Sequence, residues 1–130
     1  MNLRLRSKIP GIGGKGENLA IAYLKTKQYR IIQLNYRTKY GEIDIIAKTS
    51  GGTMVFIEVK TLSGKLNPET SLLPEDNLSN VKLKKLKRIC QFFANANPEL
   101  IEEMGWRIDL IAIILWDSEH CRLKHYENLY

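Results

Sequence analysis

A chain of 130 residues, 44% of them hydrophobic, suffices for one domain with a real core and is too short for two comfortable ones. Twenty Lys+Arg against 14 Asp+Glu leave a formal charge of +6, which points to an anionic partner such as nucleic acid. No apolar run nears the roughly 18 residues of a membrane span; LIAIILW (110–116) is far too short, so no membrane partner is expected.

Residues 1–12 read as a flexible basic arm ahead of a single domain over 13–130. The opening MNLRLRSKIP has no apolar centre and is not expected to act as a signal peptide. With only two cysteines, Cys90 and Cys121, a disulfide framework is excluded and a cytoplasmic setting is expected. GIGGKG (11–16) fits G-x-G-x-x-G, but it follows Pro10 rather than a buried strand, so a dinucleotide site is rejected.

A helix is expected from about Gly14 to Gln28, with Ala20, Ile21 and Leu24 facing the core. Glu17 heads that stripe, because Glu17, Ile21 and Leu24 fall at i, i+4 and i+7. YRIIQLNYRT (29–38) reads as a strand. GEIDIIAKTSGGTMVFIEVK (41–60) then reads as a hairpin with arms near 42–49 and 53–61, turning at Ser50-Gly51-Gly52. Alternation puts Ile43, Ile45 and Ala47 on one face and Glu42, Asp44 and Ile46 on the other, with Phe56, Glu58 and Lys60 together on the second arm. Folding about Gly51 sets Asp44 opposite Glu58 and Glu42 opposite Lys60. Like charges facing each other across a strand pair are destabilising, so something positive is expected between Asp44 and Glu58. Two such carboxylates supply hard oxygen ligands for Mg2+ or Mn2+, and the backbone carbonyl of Val59 adds a third. Lys60 would orient an attacking water or stabilise a phosphorane-like transition state. The plainer alternative is a solvated hairpin face with a Glu42–Lys60 pair.

Residues 62–77, with Gly64, Pro68 and Pro74, read as a long loop. Ser79 or Asn80 is the candidate N-cap of a helix running to about Ala96. Its apolar stripe of Leu86, Ile89 and Phe93 is headed by Lys82. In KLKKLKR (82–88), Lys82, Lys84 and Lys85 are candidate phosphate contacts, with Arg37 and Lys39 extending the surface; the alternative is a solvated basic face. Tyr36 and Tyr40 are placed to stack on bases or to pack. WRIDLIAIILW (106–116) reads as a central strand, and CRLKHYEN (121–128) as an edge strand. Asp109 and Arg107 share a face at i, i+2, as a structural ion pair or as support for the site. His120, Cys121 and His125 lack zinc-site spacing and read as strand packing and surface histidines. The order αβββ–α–β–β predicts an α/β fold: a mixed central sheet flanked by helices.

Asp44 followed by Glu58-Val59-Lys60 on the next strand resembles the Asp…(Asp/Glu)-x-Lys signature of the restriction-endonuclease-like, PD-(D/E)xK, nuclease superfamily. GKGENLAIAYL (14–24), LNYRTKYGEIDIIA (34–47), VFIEVKT (55–61), KLKKL (82–86) and RIDLIAI (107–113) resemble, in order and spacing, the YraN-like family of bacterial proteins over about residues 14–115. That resemblance implies a core similar to Holliday-junction resolvases and a site of Glu17, Asp44, Glu58 and Lys60. Glu17 then becomes a further ligand rather than a helix-start acid favoured by the dipole, and Lys82, Arg107 and Asp109 take further motif positions. The expected function is metal-dependent endonuclease hydrolysis of DNA, of branched, nicked or single-stranded character. The alternative is a nucleic-acid-binding module without efficient catalysis. By analogy with enzymes that cut two strands, a homodimer is suggested. Three departures stand out: Ile43 where the superfamily name has proline, Leu62 where the family has arginine, and no Phe-Gly-x-Pro pattern over 63–77.

Overall fold

The computed structural model describes residues 2–4, 12–63, 78–101, 104–117 and 119–130. Helix α1 (Ile12–Thr26) leads into β2 (Arg30–Thr38), β3 (Gly41–Lys48) and β4 (Met54–Ser63), preceded by a short β1 (Asn2–Arg4). Helix α2 (Asn80–Ala96), a 3-10 turn (Pro98–Leu100), β5 (Trp106–Leu115) and β6 (His120–Tyr126) complete the chain. The strands form one six-stranded mixed sheet in the order β1-β6-β5-β4-β3-β2, with β4 and β5 parallel and the other neighbours antiparallel. The expected α/β architecture is therefore present.

Each helix begins for a local reason. Ser79 caps α2, its hydroxyl accepting from the Lys82 amide at 3.2 Å. At the start of α1, a Cβ on Gly16 would run into the Thr61 hydroxyl, so glycine is what lets this turn lie flat on β4. Helix α1 covers one sheet face, with Ala20 and Leu24 buried against Ile45, Ala47, Val55, Ile57, Ile111 and Ile113. Helix α2 covers the other, with Leu86, Ile89, Cys90 and Phe93 buried against Ile46, Met54, Phe56 and Ile108. β5 is buried on both faces from Ile108 to Leu115, as a central strand must be.

Three expectations are corrected. Residues 2–4 of the supposed arm are a strand paired with 120–122, which satisfies backbone groups on an otherwise open edge of β6; the rest of the arm, 5–11, lies outside the described residues. Leu62 and Ser63 continue β4 rather than opening the loop, because β5 offers them parallel partners at Ile114 and Leu115; residues 64–77 lie outside the described residues. Ile43 does not share the face of Ile45 and Ala47 but packs under α2 with Ile46 and Phe56. The alternation breaks at Asp44, the level at which Asn35, between the pairs Leu34–Ile45 and Tyr36–Ile43, takes a left-handed φ of 50°. The β3–β4 ladder stops at Ile45–Ile57, short of the level expected for Glu42 and Lys60; on its β2 side Glu42 is the ladder partner of Arg37, whose Nε donates to its carboxylate at 3.1 Å.

Candidate active site

The β3–β4 ladder runs Lys48–Met54, Ala47–Val55, Ile46–Phe56 and Ile45–Ile57. Asp44 and Glu58 are the next residues along this register, as the inferred turn required. Here the backbone ladder gives way to a side chain: Oδ2 of Asp44 accepts the Val59 amide at 2.8 Å. The amide on Asp44 pins its carboxylate beside Glu58. Asp44 is only 9% exposed, and burial, with the charge of Glu58 next, pushes its carboxyl up to about 7, against a smaller pull down from the Val59 amide.

Both acids line a cavity of about 270 Å³, together with Tyr40, Gly41, Glu42, Lys82, Lys85, Leu86 and Ile89. Gly41, at φ 141°, brings the β2–β3 turn close to α2; a Cβ there would sit 3.1 Å from Cδ1 of Ile89. Lys82 reaches down from the head of its buried stripe to place Nζ 3.1 Å from Oε1 of Glu58. Glu17 approaches from α1. Burial, then the charges of Asp44 and Glu42, raise its carboxyl above the ordinary range, while Arg37 draws it down. Neither Glu17 nor Lys60 lines the cavity. Lys60 is half-buried two residues beyond Glu58, level with Ala112 of β5. Among the candidate phosphate contacts, Lys82 and Lys85 reach the cavity, Arg37 and Lys39 line a neighbouring groove, and Lys84 is exposed and lines neither.

A second polar cluster lies on the α1 face, and sequence reading largely missed it. Asp109 is 0% exposed. Arg107 donates from Nε to its Oδ1 at 3.0 Å, the Asn128 amide donates at 2.9 Å, and Nε2 of His125 lies 2.7 Å from its Oδ2. Nδ1 of His125 is 3.0 Å from the Tyr23 hydroxyl. Burial alone raises the Asp109 carboxyl, but the bonds from His125, Arg107 and Asn128 outweigh it, so the group stays below the ordinary range. The His125 ring is thus held between the Asp109 carboxylate at Nε2 and the Tyr23 hydroxyl at Nδ1. His125, read as strand packing or a surface histidine, is part-buried on β6 beside Tyr23 of α1. Asp109, His125 and Glu127 each offer a ligand atom within 4.8 Å of the others and form a candidate metal triad. Arg107 competes for it, bonding Asp109 through both Nε and a terminal nitrogen and approaching Glu127 at 3.6 Å.

The family model described as uncharacterised protein family UPF0102 matches residues 16–113. The chain belongs to this family. A UPF0102 protein of Alkaliphilus oremlandii is 37% identical over 92% of this chain and 97% of its own. Another, from Thermodesulfovibrio yellowstonii, is 40% identical over 92% and 95%. The YraN-like resemblance read from the sequence is thus borne out. Among solved structures, Pyrococcus furiosus SfsA in complex with Ca2+ matches with a TM-score of 0.41 and 18% identity, over 89% of this chain and 62% of that one, too slight a likeness to bear on function. The UPF0102 match contains Glu17, Asp44, Glu58, Lys60, Lys82 and Asp109, and stops short of His125. No helix among the described residues is long and apolar enough to cross a membrane.

Proposed function

We propose that this UPF0102 protein is a metal-dependent endonuclease with a nuclease-like core, hydrolysing DNA phosphodiester bonds at Asp44 and Glu58. The observation that carries the reading is the pair of adjacent carboxylates in a cavity whose other charged walls include Lys82 and Lys85. The donor set fits a hard cation: the ligands are oxygens, and the Asp44 carboxyl is raised by burial and then by the charge of Glu58 beside it. Asp44, Glu58, the Val59 carbonyl and Glu17 would hold Mg2+ or Mn2+, which when bound would lower the pKa of water and offset charge building on the phosphate. The Val59 amide fixes the Asp44 carboxylate. Lys85 and Lys82 would attract the phosphate backbone, and Lys60 would orient water. A cytoplasmic setting suits the two cysteines, which are buried on opposite faces of the sheet.

One observation favours the alternative, a nucleic-acid-binding module without efficient catalysis: Lys82 already pairs with Glu58. The deciding assay incubates wild type and Asp44→Asn with Mg2+ and duplex, nicked, flap, four-way and single-stranded DNA. The nuclease reading predicts cleavage of at least one substrate, falling more than about 100-fold in the variant, since even outer-shell partners of a metal cost up to that much. Binding without cleavage on every substrate would leave the module.

A further inference from the structure

A groove of about 890 Å³ runs beside the acidic cavity and shares Tyr40 and Ile89 with it. One wall is the end of β2 and its turn, Tyr36 to Tyr40; the other is α2, from Arg88 to Asn95. Arg37, Lys39 and Arg88 line it, and among the described residues no acid does, although Arg37 is paired with Glu42 just outside it. Two rings stand in water at its edges: Tyr40 is 59% exposed and Phe92 60%. Phe92 is off the buried stripe of α2, next to the buried Phe93, so core packing does not explain it. Tyr36, by contrast, packs edge-on against Phe93 with centroids 5.1 Å apart, and serves as the floor. Lys39 lies over the Tyr40 ring at 5.2 Å.

Cations alone would suit any phosphate backbone, duplex included. Exposed aromatic faces between cations suit a different ligand. In a duplex the base faces stack on one another, and only an unpaired base offers its face to a side chain. We propose that this groove binds unpaired nucleotides, with Tyr40 and Phe92 stacking on bases while Arg37, Lys39 and Arg88 hold the phosphates, and that it feeds a single strand toward Asp44 and Glu58. The proposal rests on the nuclease reading only for its last step, because the groove would bind a strand whether or not the acids cut it.

The test measures fluorescence anisotropy of labelled thymidine and uridine oligomers of about 12 nucleotides, within the range of single-strand sites, and of a duplex of the same length, all in EDTA. Wild type is expected to hold the single strands more tightly than the duplex, the tighter of the two naming the strand type. Tyr40→Ala and Phe92→Ala should each weaken single-strand binding by about fivefold or more and leave duplex binding unchanged, and Phe92→Trp should restore it. Val81→Ala, at an exposed apolar position of α2 outside the groove, should change nothing. Equal losses on single strand and duplex, or no loss in the Tyr40→Ala/Phe92→Ala double variant, would overturn the proposal. Because no metal is present, failure of cleavage elsewhere leaves this result readable on its own.

Discussion

The two faces of the sheet each carry a buried aspartate, and the two are tuned in opposite directions. Asp109 is the more deeply buried, yet its carboxyl is held low; Asp44 keeps a trace of exposure, and its carboxyl is pushed up to about 7. Burial opposes ionisation at both. What differs is company. Asp109 has a guanidinium, an imidazole and a backbone amide, whereas Asp44 has one amide and a second carboxylate. A compensated buried charge is a structural joint: it ties β5 to β6, to the C-terminal residues and, through His125, to Tyr23 of α1. An uncompensated one, at the wall of an open cavity, is left for something that arrives from solvent.

The contrast is broken most severely at Asp109. Asp109→Ala strands Arg107 and His125 and should cost about 3–5 kcal/mol of stability in urea unfolding. A loss under 1 kcal/mol would mean that the α1-face network is ornamental. At Asp44 the sign reverses. Its folded value lies above the free value of 3.8, so the native state holds the extra proton between 3.8 and about 7, and in EDTA stability should fall as pH rises through that window. Asp44→Asn should remove the slope and stabilise the protein by about 1–3 kcal/mol at pH 8. Asp109 gives the opposite limb, its contribution being present above 3.8 and lost as pH drops through its lower folded value.

A smaller effect sharpens the comparison through metal. A cation at Asp44 must displace its proton, so Mn2+ affinity should rise about tenfold per pH unit below 7 and level off above; calorimetry at three pH values reads this directly. The smallest effect belongs to Lys82, 3.1 Å from Glu58 and partly exposed. Lys82→Ala should change stability by less than about 1 kcal/mol, and should lower the salt slope of DNA binding by about one phosphate contact.

The α2-face cluster was legible in the sequence and the α1-face cluster only in its Arg107–Asp109 pair, for physical reasons. Asp44 and Glu58 are 14 residues apart on one hairpin, so a turn and a period of two suffice to place them together, and a stripe of four carries Lys82 to the same end of the core. The Tyr23–His125 contact joins residues 102 apart and exists only once α1 has closed over β6, which no local pattern encodes. Ile43 was misplaced because alternation assumes a regular strand, and this one loses its alternation at Asp44, level with the left-handed Asn35. Phe92 had a signal that went unused: an aromatic one residue off the apolar stripe of α2.

The most direct measurement is calorimetric titration of Mn2+ into wild type, an Asp44→Asn/Glu58→Gln double variant and His125→Gln at pH 7.5. The account predicts binding in wild type and in His125→Gln, and none in the double variant. Binding that survives in the double variant and disappears in His125→Gln would move the metal to Asp109, His125 and Glu127 and contradict the assignment of the two faces.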